Sequence, residues 1–319
     1  MKKKLTTLVL PELILIAGLL LSSAFGQEDK ADTSTSPIAL EAGDLKATFA
    51  DNEAYGEHHR NRYNGISELG HKEAPENLYV PLYAGFNLEH FFGGDYLEEL
   101  FEPREHPMIL SQIDDRSVRL YQPPPPRSKV ESTTLFTLVP PHAIDVSVEI
   151  VFHDLSQFRH GYAGLFWASY IHEPEDKRIH FWGIDPENPE PHWISSYSDK
   201  HGVKGSHLYI ADSFMTYFAP DFNTVLASDF SDHRWIESFY FGKSGKMVYA
   251  LFFDREKGIR FSQSPTGGGD NNPAWDHQFI VPNPEIGKTY GYRARLVYKP
   301  FVSAEDVREE YHRWRNEIE

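Results

Sequence analysis

The 319-residue chain contains no cysteine. That excludes disulfide staples, a thiolate nucleophile, a cysteine-ligated metal and a lipid anchor attached through cysteine. A chain of this length can bury a sizeable core without such cross-links. After its first residues it also lacks any apolar run near the ~20 residues that a membrane-spanning helix needs. Basic residues are in deficit: 31 Lys and Arg stand against 47 Asp and Glu, for a formal charge of −16. That balance argues against nucleic acid and anionic membrane as partners, and otherwise serves solubility. Missing too are H-x-x-x-H and H-E-x-x-H pairs, a phosphate loop ending in Gly-Lys-Ser/Thr, and a G-x-S-x-G elbow. The signatures of zinc enzymes, nucleotide binders and serine hydrolases are therefore absent, and the residues imply no metal and no cofactor. Gly267-Gly268-Gly269-Asp270-Asn271-Asn272 offers oxygen ligands for calcium, although a solvated glycine turn explains it as well.

What is present begins with an export signal. Lys2, Lys3 and Lys4 precede an apolar stretch from Leu5 to about Ala24, and Ala24-Phe25-Gly26 supplies a small-x-small cleavage site. The expected mature N-terminus is Gln27, and the expected location is the periplasm or the exterior. Pro11 and Glu12 interrupt the apolar stretch and disfavour an uncleaved membrane helix. Residues 27–38 read as a polar linker that buries too little to offset its ordering entropy. Residues 39–302 read as one β-sandwich domain, and residues 303–319 as a helix packed on it.

The β reading rests on periodicity. In the run from Ile144 to Phe152, Ile144, Val146, Val148 and Ile150 share one face, with Asp145, Ser147 and Glu149 on the other. Similar runs cover 117–122, 133–139, 163–171, 178–183, 247–253, 258–263, 277–282 and 290–298. Gly, Pro, Asn and Asp clusters separate them, and many short strands so spaced indicate a large antiparallel all-β sandwich. At the end, Ser303 begins a capping pattern, and Val307, Tyr311 and Trp314 form a helical stripe.

Aromatics make up 14% of the residues, and several sit beside polar groups. A sugar presents an apolar C–H face and a rim of hydroxyls, so its site needs rings flanked by carboxylate, amide, Arg or His. On that ground Trp167, Tyr170, Trp193 and Trp275 are candidate stacking platforms, and Gln278 is a candidate hydrogen-bonding side chain. Arg293 and Arg295, on one strand face, are candidates to pair with an acidic sugar. His90, His172 and His207 are the candidate proton-transfer groups, with Glu89 and Asp276 as carboxylates. One obstacle is geometric: on a regular strand Glu89 and His90 point to opposite faces and cannot enter one pocket.

Arg62-Tyr63-Asn64-Gly65-Ile66, the segment Asn77 to His90, Gly164 to Tyr170, Ser264 to Gly269 and Asn272 to Gln278 together resemble a family of exported bacterial β-sandwich proteins. That resemblance spans most of the mature chain and implies no particular reaction. More distantly, the layout is similar to galactose-mutarotase-like supersandwich proteins. The shared features are an Arg-x-x-Gly turn, paired strands at 118–121 and 133–138, and a longer strand at 144–152. The similarity implies a sugar site on the concave face of a large twisted sheet. True mutarotases use a His acid and a Glu base. Here the His-Pro-Tyr-Phe segment of that family has no match, Trp167 to Tyr170 stands in the comparable place, and no C-terminal catalytic Glu stands out. The expected function is therefore that of a carbohydrate-active or carbohydrate-binding protein. Its partner would be a polysaccharide or oligosaccharide, and its chemistry acid/base catalysis by an epimerase, lyase or hydrolase. The alternative is a non-catalytic interaction module.

Overall fold

The computed structural model describes residues 37–95, 100–222 and 224–319. The expected export signal and all but the end of the expected linker therefore lie outside the described residues. The first strands, β1 (Ile38–Ala42), β2 (Leu45–Ala50) and β3 (Gly65–His71), pair in chain order as a small antiparallel sheet. The remaining strands join one large sheet. From the first half of the chain come β4 (Asn87–Phe92), β5 (Ile109–Gln112), β6 (Ser117–Gln122), β7 (Val130–Val139), β8 (Ala143–Phe152) and β9 (Tyr162–Ala168). The middle gives β10 (Ile179–Ile184), β11 (His192–Ser196), β12 (Ser206–Tyr209), β13 (Phe230–Trp235), β14 (Phe239–Ser244) and β15 (Met247–Phe253). The last are β16 (Ile259–Ser264), β17 (Ala274–Pro282) and β18 (Thr289–Pro300). Helices α1 (Glu102–Glu105), α2 (Val225–Ser228) and α3 (Ala304–Ile318) complete the described elements.

Across the large sheet the order is β4-β9-β17-β16-β12-β13-β10-β14-β15-β18-β8-β7-β6-β5, with β11 added to β10. All these strands pair antiparallel except β12 with β13. The sheet bends back over itself. Trp167 on β9 and Phe279 on β17 meet the ring of Tyr292 on β18 at centroid distances of 5.5 and 5.3 Å. Those strands stand far apart in the sheet order, so the contact is face to face across a sandwich. The small sheet closes the same core, with Phe49 of β2 at 5.2 Å from Phe136 of β7. The chain is thus all-β and sandwich-like, with a C-terminal helix.

Strands at the outside keep the expected alternation: β7 and β8 bury one face and leave the other half-exposed. Central strands are covered twice. On β15, Tyr249, Leu251 and Phe253 face the inner core, while Val248, Ala250 and Phe252 face outward and lie under α3. Ser303 caps that helix, its hydroxyl accepting from the Asp306 N–H at 3.1 Å. Tyr311 then meets Phe239 at 4.8 Å, and Trp314 meets Phe252 at 6.1 Å. Each such buried side chain is worth roughly 1.5–3 kcal/mol, so the helix is held by packing more than by propensity. On β17 the doubly covered strand separates Trp275, His277, Phe279 and Val281, which face the core, from Ala274, Asp276, Gln278 and Ile280. That second face carries the polar cluster described next. Among the described residues no helix is long and apolar enough to cross a membrane.

Candidate functional site

Strand β4 is an edge of the large sheet, and edge backbone groups need partners. Asn64 supplies them: its amide donates to the Leu88 carbonyl and its side-chain oxygen accepts the Leu88 N–H, both at 3.0 Å. The Asn87 oxygen accepts the Asn64 N–H at 3.0 Å, so the loop carrying Arg60 and Tyr63 is fixed against β4. Opposite this loop the register with β9 slips, for Leu88 pairs Trp167 while His90 pairs Phe166. The extra residue is a β-bulge, which re-aims side chains that strict alternation would send apart. Glu89 and His90 consequently meet, with Oε2 3.5 Å from Nε2 and both residues buried.

Glu89 is the hub. The Tyr170 hydroxyl donates to its Oε1 at 2.6 Å, and Arg104, from α1, donates to the same oxygen through Nη1. Arg104 also donates through Nε to the Arg62 carbonyl at 2.7 Å, which sets the angle of its guanidinium. Burial works against the Arg104 charge, but the Glu89 carboxylate together with Tyr170 and Tyr63 outweighs it and holds the pKa above its ordinary value. The guanidinium lies 4.1 Å over the ring of Tyr63. On the solvent side, exposed Arg60 lies 4.1 Å over Tyr83 and donates to the Tyr63 hydroxyl at 2.6 Å. The Tyr63, Tyr83 and Tyr170 rings touch at 4.6 to 5.6 Å, forming one aromatic wall. Burial pushes the Tyr170 hydroxyl well above the usual range, and the adjacent Glu89 charge adds to the rise, so it remains a donor. Burial also lowers His90 to about 4, against the pull of Glu89, so its imidazole is neutral near pH 7. Its ring packs on Phe101, 43% exposed, at 4.5 Å.

Backbone strain frames this cluster. Arg62, Leu82 and Phe86 adopt φ of 75°, 73° and 52°, a left-handed region costly to residues with a Cβ. Such strain persists where surrounding contacts over-determine it, which is common around sites.

Further along the same face lie Asp276 and Gln278. Asp276 Oδ1 accepts the Ser169 N–H at 2.9 Å, while Oδ2 has no hydrogen-bond partner among the described residues. Burial drives this carboxyl well above the usual range; the Ser169 N–H opposes the rise and the Glu89 charge adds to it. Gln278 is fully enclosed, donating to Ser206 and Ser262 hydroxyls at 2.8 Å and to the Leu226 carbonyl at 3.1 Å. His201, at the rim, shares a hydrogen bond with Ser264 at 2.7 Å and feels the Glu89 charge.

The structure thus brings Glu89, His90 and Tyr170 together and sets Asp276 and Gln278 deeper on that face. The remaining candidates lie elsewhere. His172 is exposed, 3.4 Å from Asn272. His207 turns to the other face of β12, bonded to Ser231 at 2.6 Å beside Phe181, and burial lowers it to about 3. Trp167 stacks on His277 within the core, and Trp275 is enclosed there with its N–H donating to the Lys177 carbonyl. Trp193 donates to Glu305 at 2.8 Å beneath α3. Arg293 and Arg295 do share a face, the one beside α3: Arg295 pairs with Asp145 at 2.6 Å, and Arg293 with Asp254 at 3.3 Å. In the Gly267–Asn272 turn, the Lys177 ammonium donates to the Asp270 carbonyl at 2.6 Å. Sequence reading did not single out Arg60, Tyr63, Tyr83 or Arg104. The signals near them were the Arg62–Ile66 and Asn77–His90 segments, which flag the two stretches holding Tyr63 and Tyr83 but not the cation–ring stack.

No protein-family model matches the chain, and no curated protein sequence matches it. Solved structures do. A putative aldose 1-epimerase from Escherichia coli K12 is similar over 83% of this chain and 99% of its own, at 9% identity and a TM-score of 0.48. A GalM/aldose epimerase homologue from C. elegans is similar over 84% of this chain and 100% of its own, at 6% identity and a TM-score of 0.47. A heparan sulfate lyase from Pedobacter heparinus is similar over 85% of this chain and 36% of its own, at 7% identity and a TM-score of 0.41. The mutarotase-like resemblance expected from the sequence is found as a distant likeness, at values that carry no residue role or activity across.

Proposed function

We propose that this chain is an exported protein that binds a carbohydrate at the Glu89 cluster and moves a proton there. The observation that carries the reading is the bulge on β4. It joins a buried carboxylate, a tyrosine donor and a neutral imidazole beside an aromatic wall. A sugar's C–H face suits Tyr83 and Phe101, and its hydroxyls suit Glu89 and His201. Arg60, exposed at the rim, suits the carboxylate of a uronic acid. In this reading Glu89 accepts a proton from the sugar, and Tyr170, held protonated by burial and by Glu89, returns one. The proton on Glu89 then passes to the tyrosinate along their 2.6 Å hydrogen bond, restoring both groups.

A non-catalytic glycan-binding module is the second reading. It is favoured by the engagement of Glu89, whose oxygens already face Arg104, Tyr170 and His90. The export half of the proposal is tested by the intact mass of the protein recovered from the periplasm or medium. A chain beginning at Gln27 supports it, and an unprocessed chain retained in the cytoplasm overturns it. The carbohydrate half is tested by screening the mature protein against neutral and acidic glycans, with reducing-end and unsaturated-product assays on the same samples. Binding with turnover supports the catalytic reading, binding alone the module, and no binding removes both.

A further inference from the structure

At the far end of β16 and β17 from Tyr170 the sandwich opens into a cleft of about 390 Å³. From Asp276 to Ile280 is about 13 Å along an extended strand, so the cleft is separate from the Glu89 cluster. Its size falls in the range of small-molecule sites. Phe279, Ile280, Tyr209, Tyr290 and Phe214 give it an apolar, ring-lined body. Gly258 lets the wall approach closely: its φ is +82°, and a Cβ there would lie 2.6 Å from the Ile280 carbonyl oxygen.

The polar groups are uneven in sign. Asp212, the acidic residue of the lining, is already engaged, 3.5 Å from buried Arg260 and accepting the Phe214 N–H at 2.9 Å. Arg260 is satisfied in turn by the Phe214 carbonyl and the Thr216 hydroxyl. Two cations of the lining are not matched in this way. The Arg255 Nε is buried with no hydrogen-bond acceptor, its nearest carboxylate being Asp254 at 3.8 Å. Lys257 is exposed at the rim, with no ion pair or hydrogen bond among the described residues. A cation-rich mouth over an apolar body is a local reversal in a chain of formal charge −16.

We infer that this cleft is a binding site for a small organic carboxylate with a flat apolar body, its anion on Arg255 and Lys257 and its rings between Phe279 and Tyr290. The inference stands apart from the carbohydrate reading, since none of its residues belongs to the Glu89 cluster.

Calorimetry with naphthoate, and with naphthalenemethanol as the neutral analogue, tests it on the mature protein. Naphthoate is expected to bind at one site, and Arg255→Ala with Lys257→Ala to weaken it by about tenfold or more through loss of charge-assisted contacts. Pro282→Trp, at an exposed position of the lining, is expected to block the cleft and abolish binding with the unfolding midpoint unchanged. Naphthoate binding that survives both the double variant and Pro282→Trp overturns the site. Equal affinity for the neutral analogue overturns the anion assignment, and absence of naphthoate binding overturns the inference outright. Glu89→Gln is expected to leave naphthoate binding intact, which separates this failure from failure of the carbohydrate reading.

Discussion

The Tyr170 hydroxyl donates to the Glu89 carboxylate at 2.6 Å, joining the chain just beyond β9 to the bulged residue of β4. Arg104 closes the same carboxylate from α1, and the three groups are largely shielded from solvent. The candidate site is therefore also a structural joint, and variants there report on both roles.

Arg104→Met removes the cation from a buried pair and leaves Glu89 with Tyr170 and His90. Breaking such a pair from one side costs about 3–5 kcal/mol, and the retained tyrosine bond places the expected loss near the lower end. Urea unfolding measures it; a loss under about 1 kcal/mol would mean the pair behaves as a surface contact.

Acid should destabilise the fold before carboxylates titrate. Burial lowers His90 to about 4 and His207 and His277 to about 3, against ~6.5 in the unfolded chain. Between those values the unfolded state binds more protons, so the stability is full above about pH 6.5 and falls as pH drops. Asp276, with its pKa raised by burial, acts in the opposite sense: its contribution is present below the unfolded carboxylate pKa and is lost as pH rises through the folded value. His277→Gln is expected to flatten the acid limb by up to about 1.4 kcal/mol per pH unit. Unfolding midpoints across that range check this, and an unchanged slope would contradict it.

Trp314→Ala opens the layer between α3 and β15. Trp314 is 2% exposed, and large-to-small changes of this kind cost about 3–5 kcal/mol. Thermal unfolding should show the loss without change at the Glu89 cluster, which lies on a different face. A loss confined to fraying of the helix, with the sandwich midpoint unchanged, would mean that the helix is an independent appendage.

Most of the legible strands were those with one wet face. Strand β6 falls at 117–122, where the sequence reading puts it, and β8 begins one residue earlier. The exception is β15, covered on both faces yet found at 247–253, because its continuous apolar run stands between Gly245-Lys246 and Asp254. β17 begins at Ala274 rather than His277, because its first residues are buried on both faces and show no alternation. β4 shows the same limit: all six of its residues are buried, and Asn87, Glu89 and His90 among them read as polar. Of the site, Glu89, His90 and Tyr170 were nameable from residue chemistry. Their meeting was not, since it depends on a one-residue register slip that no local pattern announces. Arg104 and Tyr63 come from segments that only the sheet topology brings together, and Trp167 and Trp275, though beside polar residues in sequence, point into the core.

The most direct test is glycan binding by the mature protein and by Glu89→Gln, which keeps an acceptor for Tyr170 and Arg104 while removing the charge. The account predicts that the wild-type protein binds a glycan, acidic ones most tightly through Arg60. It also predicts that Glu89→Gln weakens binding by about tenfold or more, as loss of a charge-assisted contact should. Equal binding by the two proteins, or no glycan bound by either, would contradict it.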